Sequence, residues 1–228
     1  MLSAEGRTTI VTAAIIAGAY VLAEVSGFHA ELSYAAGFVP GRVGQPDLLD
    51  LIQLHLPVLP VWLTPLSAAL LHGGWLHLGF NLLIMIFCGR QVEMVLGPRL
   101  WLVLFGAGAY AAALGQWALG PNIAVPMIGA SGAISAIIGA YALLFSNSKV
   151  RALGPIPASA VRMLWLGAAW VFLQFLMGIA SNGPGGVDGS GDGVAIGAHI
   201  GGFIAGMILI RPMLKRRFRN GSRPAGRG

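Results

Sequence analysis

The amino-acid sequence predicts an all-α integral membrane protein, a single unit of six transmembrane helices. Three observations predict it. Of 228 residues, 56% are hydrophobic and only 10% are charged, where a soluble domain carries about 25% charged residues. Mean hydropathy is +0.77. The apolar residues also gather into six runs, each near the roughly 20 residues that a helix needs to cross the hydrocarbon core.

The first run extends from Thr8 to Val25. It is long, and no A-x-A cleavage site follows it, so it reads as a span rather than a signal peptide. Residues Ser26 to Leu66 mix Phe28, Tyr34, Phe38 and Trp62 with prolines and charges. This stretch is too broken to span and is expected to lie as a structured element in the outer interface. The second span is expected from Ser67 to Cys88, the third from Leu100 to Leu119, and the fourth from Gly129 to Phe145. The fifth falls between Met163 and Ala180, and the sixth from Val194 to Ile210, followed by Arg211 and Pro212. A membrane domain of residues 1–212, with 26–66 as its interfacial loop, and a basic cytoplasmic tail of 213–228 are therefore expected. The Gly- and Arg-rich stretch from Arg216 onward reads as disordered and suited to anionic lipid.

Charge placement sets the orientation. Arg7, Arg90, Arg99, Lys149, Arg151, Arg162 and the C-terminal cluster from Arg211 to Arg227 fall on one side of the six runs, and Arg42 alone on the other. The positive-inside rule puts that first side, with both termini, in the cytoplasm. This distribution explains the net charge of +6 without a nucleic-acid partner. The one cysteine, Cys88, cannot form an internal disulfide.

Polar groups at membrane depth mark function by default. The second span carries His72, His77 and Asn81, of which His77 and Asn81 share a face at i, i+4. The fourth opens Gly129-Ala130-Ser131-Gly132 and continues to Ser135, and the sixth carries His199. Spans two, four and six all run inward from the outer face. With His77 expected about ten residues into its span, these groups fall within about 10 Å of one another in depth, at 1.5 Å per residue. Rows of small residues, Ser131/Ser135/Gly139, Gly132/Ala136/Ala140 and Ala198/Gly202/Gly206, permit close helix approach. Each feature also has a plainer explanation. A membrane serine usually bonds its own backbone, as expected for Ser135; small rows are usually packing; a lone histidine, His72 above all, usually makes a structural hydrogen bond. The residues alone leave both a hydrolytic site and a set of interhelical bonds open. A transporter would call for paired charges or broken helices near the midplane, which the sequence lacks. A metal or haem site would draw on His72, His77 and His199.

At these residues the chain resembles the rhomboid family of intramembrane serine proteases. The likeness rests on Gly129-Ala130-Ser131-Gly132, on Ala198-His199-Ile200-Gly201-Gly202 with Gly206, and on His72, His77 and Asn81 in the pattern H-x-x-x-x-H-x-x-x-N. The resemblance implies a rhomboid-like bundle with Ser131 as nucleophile and His199 as general base. It implies His77 and Asn81 as oxyanion-hole side chains, together with the Ser131 N–H. Transmembrane proteins would be the substrates, within the lipid bilayer, with no metal or other cofactor, and a bacterial plasma (inner) membrane would be the setting. Glu93 matches a family acid of structural role. Two positions depart from the pattern. Ser135 stands where many members stack an aromatic ring on the catalytic histidine, and Leu63-Thr64 stand where many have Trp-Arg. A relative that binds transmembrane helices without cutting them is the nearest rival, and Ser131 and His199 argue against it.

Overall fold

In a computed structural model of the chain, the described residues are 6–50, 54–145, 154–158, 160–161, 164–165, 167–168 and 195–219. Among them the architecture is all-helical, without a β-strand. Helix α1 spans Arg7–Ser26, α2 His29–Ala36, α3 Thr64–Ser67, α4 Trp75–Leu96, α5 Pro98–Leu119, α6 Ser131–Leu144 and α7 Ile196–Arg219. By length and composition α1, α4, α5 and α7 can each cross a membrane, and α6 is a shorter apolar helix. The described residues therefore hold four full-length spans, not six. Most of the fifth expected span, Met163 to Ala180, lies outside them.

Three expected boundaries are corrected. The second span was expected from Ser67, with His72 inside it and His77 about ten residues deep. Instead α4 begins at Trp75, which places His72 in the turn ahead of it and His77 in its first turn. Hydropathy misses the cause. Gly74 sits at φ 156°, ψ 167°, a region essentially closed to other residues, so no helix passes through it. At the far end α4 runs beyond Cys88 to Leu96, taking in Gly89, Arg90 and Glu93. The sixth span was expected to end at Ile210, but α7 continues through Pro212 to Arg219.

Packing explains which faces are apolar and why. In α1 the buried residues Thr9, Ala13, Ile16, Tyr20 and Ala23 form one stripe at helical spacing and pack on α4. The opposite face exposes Val11, Ile15, Leu22 and Val25. Likewise α7 buries Ala198, Gly202, Gly206 and Ile210 while Ile200, Ile204 and Ile208 face outward. Apolar rows on outer faces suit lipid, the one solvent in which they cost nothing. Helix α6 is different: it is apolar all round, nearly every side chain is buried, and α4, α5 and α7 enclose it. Its 14 residues make a rod about 21 Å long, shorter than the roughly 30 Å hydrocarbon core. The end of α6 that carries Ser131 need not reach the membrane surface.

The segments between helices are tied to this frame. Phe38 and Met127 form an antiparallel bridge, with N···O distances of 3.0 and 2.7 Å, and the Gly41 N–H donates to the Ile123 carbonyl at 2.9 Å. Residues 38–41 thus brace the loop that leads into α6. The buried Arg42 donates from Nη2 to the Leu59 carbonyl at 2.9 Å, holding the far part of the same stretch. At Leu63-Thr64, Thr64 is fully buried and donates to the Val61 carbonyl at 2.7 Å.

Glu93 has the structural role expected of it, and the helix geometry gives the reason. The first N–H groups of α1 lack intrahelical acceptors, and no side chain of α1 itself caps them. The Glu93 carboxylate on α4 accepts from the Thr8 N–H at 2.9 Å, the Thr9 N–H at 2.8 Å and the Thr9 hydroxyl at 2.7 Å. A carboxylate at a helix N-terminus is also favoured by the helix dipole. Glu93→Ala removes every one of these acceptors. We expect it to destabilise the protein by roughly 2–3 kcal/mol, read from unfolding in mixed micelles, and Glu93→Gln, which keeps one acceptor oxygen, to lose less. Equal stability of all three proteins would refute the capping role.

Candidate active site

Three of the four residues singled out in the sequence stand in the first turns of their helices. Ser131 is the first residue of α6, His77 the third of α4 and His199 the fourth of α7. Polar groups near a helix start lie toward one membrane face and remain connected to the main-chain donors that the helix start leaves open.

Ser131 and His199 meet. The Ser131 Oγ lies 3.0 Å from His199 Nε2, although 68 residues separate them, and both are buried. With Nε2 unprotonated, the hydroxyl donates to it, the arrangement in which an imidazole can take the proton of an attacking serine. Close backbone approach makes it possible. A Cβ on Gly202 would collide with the Gly132 carbonyl oxygen, and one on Gly206 with the carbonyl oxygen of Ala136. The small rows predicted from the sequence are therefore the surface on which α7 lies against α6. Ser135, one turn beyond Ser131, is fully buried and donates to the Ser131 carbonyl at 2.8 Å, as a membrane serine usually does.

His77 faces the same spot from α4. An ideal Cβ on Gly129 would stand 2.9 Å from His77 Nε2 and 3.8 Å from Ser131 Oγ. The two side chains thus border one small space, kept open because residue 129 is glycine. That glycine also has φ 114°, which side-chain-bearing residues rarely adopt, and its N–H donates to the Ala68 carbonyl at 2.8 Å. The Gly73 N–H donates to His77 Nδ1 at 3.3 Å. Because Nδ1 accepts, the neutral ring carries its proton on Nε2, the nitrogen turned toward Gly129 and Ser131. At the start of α6 no side chain caps the helix, so the Ser131 N–H lies in a first turn without an intrahelical acceptor. A donor N–H on His77, a main-chain N–H and a serine oxygen beside an imidazole make a place where a tetrahedral oxyanion can form and be held.

Asn81 lies one turn below His77 and is fully buried. Its amide nitrogen donates to the His77 carbonyl at 2.9 Å, and its Oδ1 has no partner among the described residues. This contact sets Asn81 one turn from His77 on the same helix face. His72 packs edge-on to His77 with ring centroids 5.1 Å apart. Its Nε2 sits 3.5 Å from the Ala130 N–H, the residue before Ser131. Burial, with His77 beside it, pushes the His72 pKa down to about 3, which keeps that ring neutral and able to accept. The structural role expected for His72 fits these contacts. Among the described residues, no three His, Cys, Asp or Glu side chains are placed to hold a metal ion.

Gly73 and Gly129 were not singled out for chemistry in the sequence. Both act through the main chain, one by donating an N–H and the other by lacking a side chain. The only sequence signal was the glycine content of Gly73-Gly74 and Gly129-Ala130-Ser131-Gly132.

The family model of the Rhomboid domain matches residues 60–216, a stretch that takes in every residue of this site. The chain belongs to the rhomboid family and is an integral membrane protein, a hydrolase of the intramembrane serine protease class. No curated protein matches it significantly.

Gly129→Ala tests the geometry of the small space. The added methyl meets the His77 ring and forces an unfavourable φ. We expect labelling of Ser131 by a fluorophosphonate probe to fall by about 10²-fold or more, the scale of losing one oxyanion donor, and the strained φ to lower stability by about 1–3 kcal/mol without unfolding the protein. Unaltered labelling would show that the space beside Gly129 is not where the probe's oxygen sits.

Proposed function

We propose that this rhomboid-family chain is an endopeptidase that hydrolyses peptide bonds in or near the transmembrane segments of other membrane proteins, by a dyad of Ser131 and His199. The 3.0 Å contact between Ser131 Oγ and His199 Nε2 carries the reading.

The chemistry follows from the donors and acceptors present. As Ser131 Oγ bonds to the scissile carbonyl carbon, its proton passes to His199 Nε2. The carbonyl oxygen becomes an oxyanion and takes hydrogen bonds from His77 Nε2–H and the Ser131 N–H. Asn81 supports His77 from one turn below, and its amide has a second hydrogen to offer the same hole. When the intermediate collapses, the carbon–nitrogen bond breaks and His199 returns the proton to the departing amine. Water then attacks the acyl-enzyme, losing its proton to His199, which passes it to Ser131 Oγ as the carboxyl product leaves. Every group in this sequence belongs to the chain, so the reading calls for no metal or other cofactor.

The substrate is a membrane helix that approaches laterally and unwinds near its outer end. Gly or Pro in that helix lowers the cost of unwinding. The membrane arrangement proposed with it has six spans, the fifth between Met163 and Ala180, and both termini in the cytoplasm, as the positive-inside distribution indicates. Residues 1–212 form the membrane unit, with 26–66 along the outer interface, and 213–228 form a basic tail whose first part continues α7. A bacterial plasma (inner) membrane and no nucleic-acid partner complete the reading.

The decisive assay is cleavage of a single-span substrate by purified protein in detergent or bilayers. The parent is expected to cut. Ser131→Ala and His199→Ala are expected to lose cleavage while folding normally, and His77→Ala to lose about 10²–10³-fold in kcat. Cleavage that survives Ser131→Ala would remove Ser131 as nucleophile, and a parent that binds substrate helices without cutting would support the non-catalytic rival. For the topology, a reporter active only in the cytoplasm is expected to be active when fused after Gly228. Activity of a periplasm-specific reporter at that position would overturn the proposed orientation.

A further inference from the structure

The proton on His77 Nε2 depends on what holds Nδ1, and that leads outside the family motifs. The Gly73 N–H that bonds His77 Nδ1 belongs to the peptide group between His72 and Gly73. The carbonyl oxygen of that same peptide group lies 2.6 Å from His29 Nε2. A carbonyl can only accept, so His29 Nε2 donates. Two hydrogen bonds thus meet across one peptide plane: His29 Nε2–H to the His72 carbonyl, and the Gly73 N–H to His77 Nδ1.

We infer that His29 is a positioning residue for the oxyanion donor: through the His72–Gly73 peptide group it holds His77 as the tautomer whose Nε2–H points at the space beside Ser131. The inference rests on the hydrolytic reading above and deepens it. Its physical basis has two parts. The bond from His29 fixes the plane of a peptide that follows no secondary structure, lies beside Gly74, and at Gly73 is exposed. In addition, a carbonyl that accepts a hydrogen bond polarises its peptide group and strengthens the N–H on the other side, so bonds in a chain reinforce one another.

The surroundings of His29 fit this role. It is the first residue of α2, and Tyr20 packs edge-on against it with centroids 6.0 Å apart. Tyr20 also packs edge-on against His72, at 6.4 Å. The Glu24 carboxylate stands 3.7 Å from His29 Nε2. That is too far to take the hydrogen from the carbonyl at 2.6 Å. His29 therefore joins α1 and α2 to the catalytic turn, and nothing in the three motifs names it.

The test uses the full chain in bilayers, as parent, His29→Ala and His29→Gln. With a single-span substrate, His29→Ala is expected to lower kcat roughly ten-fold, less than outright removal of an oxyanion donor, with KM unchanged. His29→Gln, whose amide N–H can reach the same carbonyl, is expected to recover most of the rate. A loss of KM instead of kcat, an unchanged kcat in His29→Ala, or no recovery in His29→Gln would overturn the inference.

A second readout needs no substrate. In ¹⁵N spectra of histidine-labelled protein, with His77 assigned by its disappearance in His77→Gln, Nδ1 is expected to be unprotonated and Nε2 protonated. His29→Ala is expected to shift the Nδ1 signal and mix the tautomers. A protonated Nδ1 in the parent, or a His77 spectrum indifferent to His29→Ala, would overturn the inference. The two failures stay distinct, because a parent that does not cut, yet shows this tautomer and its loss in His29→Ala, sinks the hydrolytic reading and leaves the relay standing.

Discussion

The structure depends on how closely α7 can lie against α6. Two ordinary helices pack with axes 8–10 Å apart because side chains fill the space between them. Here much of that space is missing. Gly202 faces the carbonyl of Gly132, Gly206 that of Ala136, and on the other helix Gly139 faces the carbonyl of Phe203. Main chain rests on main chain. Serine and histidine have short reaches, and only such proximity brings Ser131 Oγ within 3.0 Å of His199 Nε2. The burial of α6 on every side follows from the same demand, since the helix that carries Ser131 must be held by α4, α5 and α7 together.

A second constraint is the expense of unsatisfied polar groups away from water. The site meets it with main-chain groups. His77 takes its partner from Gly73, Gly129 bonds Ala68, and Ala130 is offered His72. The aspartate that orients histidine in soluble serine proteases has no counterpart among the sequence motifs. On the side of His77, orientation falls to loops instead, and these are held in turn by the Phe38–Met127 bridge and the Gly41–Ile123 bond. The segment between α1 and α4 therefore supports the site by holding the residues that flank it.

Much of this was legible in the sequence, and the exceptions share a cause. Hydropathy located α1 and α5 nearly to the residue, because an apolar run of about 20 residues has few alternatives. Polar residues within such runs picked out Ser131, His77 and His199, because burying them without purpose is costly. The start of α4 was misjudged because Leu70, Leu71 and their neighbours are as apolar as a span. What ends the helix there is a backbone angle at Gly74. The continuation of α7 to Arg219 was missed because Arg211 and Pro212 look like a stop, whereas a helix can carry on beyond the hydrocarbon. His29 was invisible for a different reason. Its one important bond goes to a main-chain carbonyl 43 residues away, and no side-chain pattern records such a bond.

The cap that Glu93 places on α1 has a bearing on how the chain is made. Its acceptors reach Thr8 and Thr9 across 85 and 84 residues. During synthesis α1 enters the bilayer long before Glu93 leaves the ribosome. Until α4 arrives, water or lipid headgroups must serve the N–H groups of its first turn. The nascent first helix thus carries an open site that only its own later sequence can fill. The cap of α1 is thus a tertiary feature, complete only once α4 has packed against it.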